Sequence, residues 1–511
     1  MSSADVILDV SACSKWLGLQ TQAAQTSLAL QTKEWIHDEQ RLSQLSAKCK
    51  RFKEAIQRDP TFFPACAEHF RDIAQMEEKL VTLMKRDSEM EKESYSEILF
   101  FKPLFQPLNF IPFILSIWSF IRVYLLPGLS LLLPILTLIA PYLILTFFFR
   151  IPITFQNYMN LLQAMLSGQI EAIMNPETVK VTQGFSPATF IKQFGIVAIT
   201  LIQGILQPYW SYQHLNSIDN IILDHGQLVL RFQQRYHALE ELLAAHGFTF
   251  FKCPLPPLMN ERDATARIIL ESAYFKMALK YVGGLEVILC LANQKEVQSV
   301  KWVRSAQPVF RIKNTFDFQV SEETRTTLSA DCSTKQHTLL TGPNKGGKST
   351  VLRALSVSAL FAHTYGCAIG HLTATPFQHI YVCLKPDDLP GSKSRFEREI
   401  EFTADTLTHS ERTLVFIDEL YHSTNPPDAL RSCQIYCEQL WKKQNVVSVI
   451  STHLFALVEE ANSSIQRLCC PATKNENGIQ FHYRLEEGIC KVSSVDTLLQ
   501  NNGLMPRQTA G

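Results

Sequence analysis

The chain lacks a charge imbalance: Lys+Arg and Asp+Glu both total 48 in its 511 residues. With no net field it exerts no long-range pull on nucleic acid or an acidic membrane surface, although a local basic patch stays open. It also lacks any Cys-x-x-Cys pair. Its 13 cysteines are odd in number and scattered, which excludes a zinc ribbon or a disulfide framework and leaves reduced, mostly buried thiols. The opening stretch, MSSADVILDV, has no basic region leading into an apolar run and a small-residue cleavage site. No secretory signal is expected, and a reducing compartment is. There is no internal repeat, and no low-complexity segment beyond the last few residues. What remains is length enough for two to four domains with a large buried core.

Residues 1–102 carry dense charge of both signs on apolar residues at helical spacing. The stretch LALQTKEWIHDEQRLSQLSAKCKRFKEAI ends at DPTFFP, Asp59 to Pro64, because proline disfavours helix at and before its own position. A second run, AEHFRDIAQMEEKLVTLMKRDSEMEKE, completes an expected amphipathic helical hairpin packed on itself, or a coiled-coil region. Texture then changes abruptly. Between Pro103 and Phe149 the only charge is Arg122, and such a block exceeds the roughly 20 residues needed to cross a bilayer. Residues 103–150 are therefore expected to be a transmembrane segment, flanked by Lys102 and Arg150. It is either one span from about Leu125 to Phe149 or a hairpin turning near Pro127-Gly128.

Helical texture resumes over 151–255 as an arm region, and KCPLPPLMN, Lys252 to Asn260, marks a boundary. A helical segment, 256–300, leads into short β-type runs between polar turns: QHTLLTG, HIYVCLK, TLVFIDEL and VVSVIST. Strands alternating with helical patterns over 301–492 predict an α/β domain with a largely parallel sheet, ahead of a tail at 493–511.

The chemistry is concentrated in LLTGPNKGGKST, Leu339 to Thr350. An apolar strand precedes it, VLRALSVSALFAH follows, and the spacing is G-x-x-x-x-G-K-S from Gly342 to Ser349. Such a loop turns backbone amides and a helix N-terminus toward phosphates. Gly346 and Gly347 let the backbone approach closely; Lys348 brings a point charge to the outer phosphates; Ser349 offers a hydroxyl to Mg²⁺. The apolar strand of TLVFIDEL ends in Asp418, suited to the Mg²⁺ shell, and Glu419, suited to orient or deprotonate the attacking water. VVSVISTH ends in His453, placed to sense the γ-phosphate. The expected cofactors are ATP and Mg²⁺.

These residues resemble a family. TGPNKGGKST is similar, at every fixed position, to the nucleotide loop T-G-P-N-x-G-G-K-S-T of the MutS mismatch-repair ATPases, so Gly342, Pro343, Asn344, Gly346, Gly347, Lys348, Ser349 and Thr350 are its nucleotide-binding residues. PDDLPGSKSRFEREI resembles the segment that carries the signature serine, which would be Ser394, with Glu399 the acid after it. FIDELYHSTNPPDA resembles the Walker B and dimer-loop segment, giving Asp418, Glu419, Thr424 and Asp428, and STH matches the switch at His453. The resemblance implies a P-loop NTPase domain of the ABC/MutS type at the C-terminus, preceded by all-α arms. It also implies head-to-tail pairing, as a homodimer or a heterodimer with a MutS-like partner, in which Ser394 acts in trans. Glu419, His453 and Lys348 would be the catalytic residues.

The departures are equally specific. Tyr421, His422 and Ser423 stand where family members usually have glycines, which points to slow hydrolysis. No small mismatch-reading domain is visible, and the one N-terminal Phe-x-Glu, Phe52-Lys53-Glu54, falls in a helical stretch. The reading is thus a membrane-anchored MutS-like ATPase with its ATPase domain on the cytosolic or nucleus-facing side. The alternative is a repair protein that binds mismatched DNA.

Overall fold

The computed structural model describes residues 7–85, 89–166, 199, 202–249, 255–384, 394–475, 478–493 and 499. The chain divides into two units, one of residues 1–75, 239–252 and 278–511, the other of residues 76–238 and 253–277. The helices, in chain order, are α1 Val10–Leu17, α2 Gln22–Gln31, α3 Glu39–Arg58, α4 Phe62–Met84, α5 Glu89–Ser96, α6 Pro112–Phe120, α7 Leu126–Leu143, α8 Phe155–Leu166, α9 Gln207–Ala245, α10 Glu261–Leu270 and α11 Ser272–Asn293. Helices α4, α9 and α11 contribute residues to both units.

The smaller unit is helical. Its core gathers Tyr95, Ile98, Leu99, Leu115, Val123, Leu215, Ile218, Ile222 and Ala266. Leu115, Ser119 and Val123 recur every four residues and are buried, so one stripe of the apolar segment packs on protein. Ser119 donates to Asp219 at 2.9 Å, and the buried Asp219 carboxylate is gripped by both arms of Arg262 at 2.9 and 2.6 Å. Arg122, the lone charge of the block, pairs with Glu97.

Helix continues through Pro127-Gly128, where one of the two expected geometries placed a hairpin turn. Helix α6, a π-turn at Ile121–Leu125, α7 and a second π-turn at Ile144–Phe148 follow one another with right-handed helical backbone at the junctions. Pro127 lies in the first turn of α7, just after the π-turn, whose wider spacing accommodates the missing N–H and the ring. The chain reverses later, past Arg150 (φ 51°), and α8 returns with Phe155 and Tyr158 against Tyr142 at ring separations of 5.3 and 5.4 Å. Pro112–Leu132 is helical, and long and apolar enough to cross a membrane; Ile139–Phe148 is a shorter apolar helix. Beyond the packed stripe the side chains face outward: Phe113, Leu129, Leu132, Leu136, Phe147 and Phe148 are all exposed.

The larger unit holds the α/β part. Its strands are β1 Val297–Ser299, β2 Lys301–Trp302, β3 Phe310–Thr315, β4 Leu328–Asp331, β5 His337–Thr341, β6 Cys367–Ile369, β7 His371–Ala374, β8 His379–Cys383, β9 Thr413–Ile417, β10 Val446–Ser451, β11 Gln466–Cys469, β12 Ala472–Asn475, β13 Gly478–Phe481 and β14 Glu486–Glu487. Helices α12 Lys348–Tyr365, α13 Arg395–Thr408, α14 Pro426–Leu440 and α15 Phe455–Glu460 alternate with them. The main sheet has the order β14-β11-β5-β10-β9-β8 and is parallel except for β14. Every residue of β5, β9 and β10 is buried, which is why these strands read as continuous apolar runs rather than alternating ones.

Helix α3, in the N-terminal stretch expected to form a hairpin, lies on the α/β part, alongside α12 and β1. Trp302 Nε1 donates to Ser46 at 2.9 Å, and Lys53 donates to the carbonyls of Gln294 and Lys295 at 3.1 Å. Gly366, at φ 70°, lies so close to α3 that a Cβ there would come within 2.3 Å of the Ser46 nitrogen. Strand texture flags a sheet, but nothing local in α3 says which surface its apolar stripe will cover.

Candidate functional site

Strand β5 delivers the Gly342–Gly347 loop, and α12 begins at Lys348. The loop needs positive φ at Gly342 (151°), Lys345 (67°) and Gly347 (101°), and Gly346 N–H closes it on the Pro343 carbonyl at 3.0 Å. A Cβ at Gly346 would lie 2.9 Å from that carbonyl oxygen. Both glycines of the pair are thus required by geometry, one by crowding and one by φ. Ser349 and Thr350 follow in the first turn of α12, where N–H groups have no intrahelical acceptor.

Lys348 is buried, and its ammonium donates to the carbonyls of Gly342 at 3.1 Å and Pro343 at 3.3 Å while facing His453 Nε2 at 3.1 Å. The same imidazole nitrogen lies 2.9 Å from Glu419 Oε1. The hydrogen bond from His453 is the main reason the Glu419 carboxyl is held below its ordinary range, working against burial and helped by the charges of His453 and Lys348. Burial pulls the Lys348 ammonium below its ordinary value, against the pull of Glu419 and Asp418.

Parallel pairing sets β9 beside β10 and β10 beside β5, so Asp418, Glu419, His453 and the loop all emerge at the same, C-terminal end of the sheet. Ser451 was not singled out by the sequence, yet it ties two of them together. Its hydroxyl donates to Asp418 Oδ1 and accepts from the Glu419 N–H at 2.9 Å. The signal lies in the STH motif, where the serine ends β10 two residues before His453.

Glu419 and Tyr421 sit at φ 53° and 57°. The family's glycines fit such backbone; a tyrosine there is strained, by an amount of order 1–3 kcal/mol. Burial of the Tyr421 ring and a 2.6 Å hydrogen bond between its hydroxyl and Thr403 of α13 offset the strain. Ser423 adds a second link to that helix, donating to Glu399 at 2.9 Å. Glu399, buried, has its carboxyl pushed up by desolvation.

Ser394 caps α13: its hydroxyl accepts from Glu397 N–H at 3.2 Å, and its own N–H donates to Glu397 at 2.7 Å. The Asp387-Asp388-Leu389 part of that motif lies outside the described residues, as does most of the 493–511 tail. Asp428 stands in the first turn of α14, accepting from the Asn425 side chain at 2.7 Å, with Pro426 and Pro427 as the opening helical residues. Thr424 precedes the cap. Beside the loop is a pocket of about 330 Å³, lined in part by Asp317, Arg325, Gly347, Val351, Cys470 and Tyr483. Of these, only Gly347 was legible beforehand. Phe52 is fully buried and stacked on Phe248 at 4.2 Å, so it has no free face for a nucleic-acid base.

Comparison with protein families matches residues 338–501 to MutS domain V. The match takes in the Gly342–Thr350 loop, Ser394, Asp418, Glu419, Asp428 and His453. MutS domain V is the ATPase domain of MutS-family proteins, and residues 338–501 of this chain are similar to it.

Proposed function

We propose that the chain is a membrane-anchored MutS-like ATPase, in which ATP hydrolysis drives closure of a head-to-tail dimer and helical arms pass the motion on. The observation that carries the enzymatic part is the Lys348–His453–Glu419 cluster at the Gly342–Gly347 loop. ATP fits this loop: its glycines leave backbone amides accessible, and Lys348 is held, among the described residues, by carbonyls and an imidazole, partners that a phosphate oxygen can replace. The neighbouring pocket suits a nucleoside. Ser349 and Asp418 would hold Mg²⁺, and the bound Mg²⁺–nucleotide supplies the phosphoanhydride to be cleaved.

His453 Nε2 cannot serve both neighbours at once. Without a proton it accepts from Lys348; with one it donates to Glu419. Movement of Lys348 toward phosphate therefore frees His453 to hold Glu419, coupling nucleotide loading to the position of the carboxylate. Glu419, kept ionised and weakly basic by that contact, orients the attacking water more than it removes a proton.

Ser394, exposed at the start of α13, is available to a second copy's nucleotide. The exposed apolar helices between Pro112 and Phe148, returning through α8, support insertion into hydrocarbon. Mismatched-DNA binding is the alternative drawn from the family; the zero net charge and the buried Phe52 speak against it.

The test uses the Glu419→Gln full-length chain in detergent with Mg-ATP, followed by sedimentation and by binding to heteroduplex and homoduplex DNA. A nucleotide-dependent dimer, lost in Ser394→Arg, with negligible affinity for both DNAs, is expected. A persistent monomer contradicts the dimer mechanism, and salt-sensitive preference for heteroduplex establishes the alternative.

A further inference from the structure

Helix α13 turns one stripe of side chains toward the tight turn that follows Glu419. Phe396, Glu399 and Thr403 stand at i, i+3 and i+7 of that helix and so share a face. The Tyr421 ring lies edge-on to Phe396 at 5.7 Å, and its hydroxyl is 2.6 Å from that of Thr403. The Ser423 hydroxyl donates to Glu399 Oε2 at 2.9 Å. The glycines usual in the family at this turn have no side chain to make any of these contacts. The link is therefore a property of this chain.

Its two ends are the two halves of the proposed reaction. At one end Glu419 is held at three points: its N–H by Ser451 at 2.9 Å, its carboxylate by His453 at 2.9 Å and its carbonyl by the His422 N–H at 3.3 Å. Only the buried Leu420 separates it from Tyr421, and both Glu419 and Tyr421 hold left-handed backbone, φ 53° and 57°. A close-packed turn of this kind transmits a shift of Glu419 instead of absorbing it. At the other end Ser394 is fastened into α13 by reciprocal bonds with Glu397, and Arg395 Nε, one residue on, is 3.9 Å from Glu399 Oε1. Ser394 moves with the helix.

We propose that Tyr421 and Ser423 are positioning residues, a latch that couples nucleotide loading at one copy's phosphate loop to the placement of that copy's Ser394 against the second copy's nucleotide. The inference rests on the ATPase reading above and adds to it the route between the two sites. Such coupling requires an element with two arrangements that both sites bias. His453 Nε2, 3.1 Å from Lys348 and 2.9 Å from Glu419, is that element. When Lys348 turns to phosphate, the imidazole is left to Glu419, and the turn carries the firmer hold to α13. Linkage is reciprocal, so engagement of Ser394 by a second copy tightens nucleotide binding at its own loop.

The test is hydrogen exchange over residues 394–408 of the full-length chain, in detergent and dilute enough to sediment as a monomer. Exchange is compared with and without saturating Mg²⁺ and a non-hydrolysable ATP analogue. In the wild type the nucleotide slows it about fivefold or more, and in Tyr421→Phe/Ser423→Ala the response falls to about twofold or less. Ser423→Thr, which keeps the hydroxyl, keeps the wild-type response. A merely structural role would shift exchange equally with and without nucleotide, so an equal nucleotide response in the double variant and the wild type overturns the latch. Nucleotide binding is read on the same samples with a fluorescent analogue. Binding without a response at 394–408 in the wild type overturns the latch alone, whereas absence of binding overturns the functional proposal and the latch together.

Discussion

At the residue scale, the site depends on a few polar contacts that hold strained or buried groups. Ser451 is the clearest, because one hydroxyl serves both Asp418 and the Glu419 N–H. Ser451→Ala leaves both without that partner; about 1–3 kcal/mol of stability is expected to be lost, along with a raised Mg²⁺ requirement for turnover. Denaturant midpoints and Mg²⁺ titrations check this. Tyr421→Phe keeps the ring but removes the bond to Thr403, at an expected cost of about 0.5–1.5 kcal/mol. The sequence marks Tyr421 as a departure from glycine; only the backbone shows that it holds a left-handed position and is latched to α13. By contrast Gly342 to Thr350 was fully legible, because a phosphate loop is local: spacing, glycines and flanking elements all lie within a dozen residues.

At the element scale, the apolar segment is one long helical run whose first part packs by a narrow stripe. Asp219, buried and paired with Arg262, anchors that packing through Ser119. Arg262→Ala strands a buried carboxylate, a loss of about 3–5 kcal/mol is expected, and protease resistance of the α6–α10 region should fall with it. The outward face behaves differently. Leu129→Asp with Leu136→Asp is expected to leave folding intact but to abolish flotation with liposomes; unchanged flotation counts against insertion. Apolar composition alone announced this segment but not where it turns. Proline at 127 suggested a break because its local cost is high, and the preceding π-turn, which removes that cost, leaves no trace in composition.

At the scale of the whole molecule, packing between distant segments decides what local pattern leaves open. Helix α3 reads locally as an amphipathic helix with no stated target; in the fold it covers the α/β part, and Trp35 from the same N-terminal region stacks on His363 at 3.9 Å. That burial has a consequence in pH. Burial holds His363 down to about 3 and His337 down to about 4, whereas both titrate near 6.5 when unfolded. Below 6.5 the unfolded chain takes up protons that the fold refuses, so stability is full above that pH and is lost as pH falls toward 4. Each imidazole contributes a slope of about 1.4 kcal/mol per pH unit. Urea unfolding at pH 7.5, 6 and 5 checks this, and His337→Asn should flatten the slope by about half.

The most direct test of the central claim is Mg²⁺-dependent phosphate release by the full-length chain in detergent, measured beside ATP binding for the wild type and Glu419→Gln. Slow turnover by the wild type is predicted, with retained ATP binding and turnover reduced about 100-fold or more in the variant. A wild type that binds ATP without releasing phosphate, or a variant that turns over as fast as the wild type, contradicts the assignment of Lys348, His453 and Glu419 as a working ATPase centre.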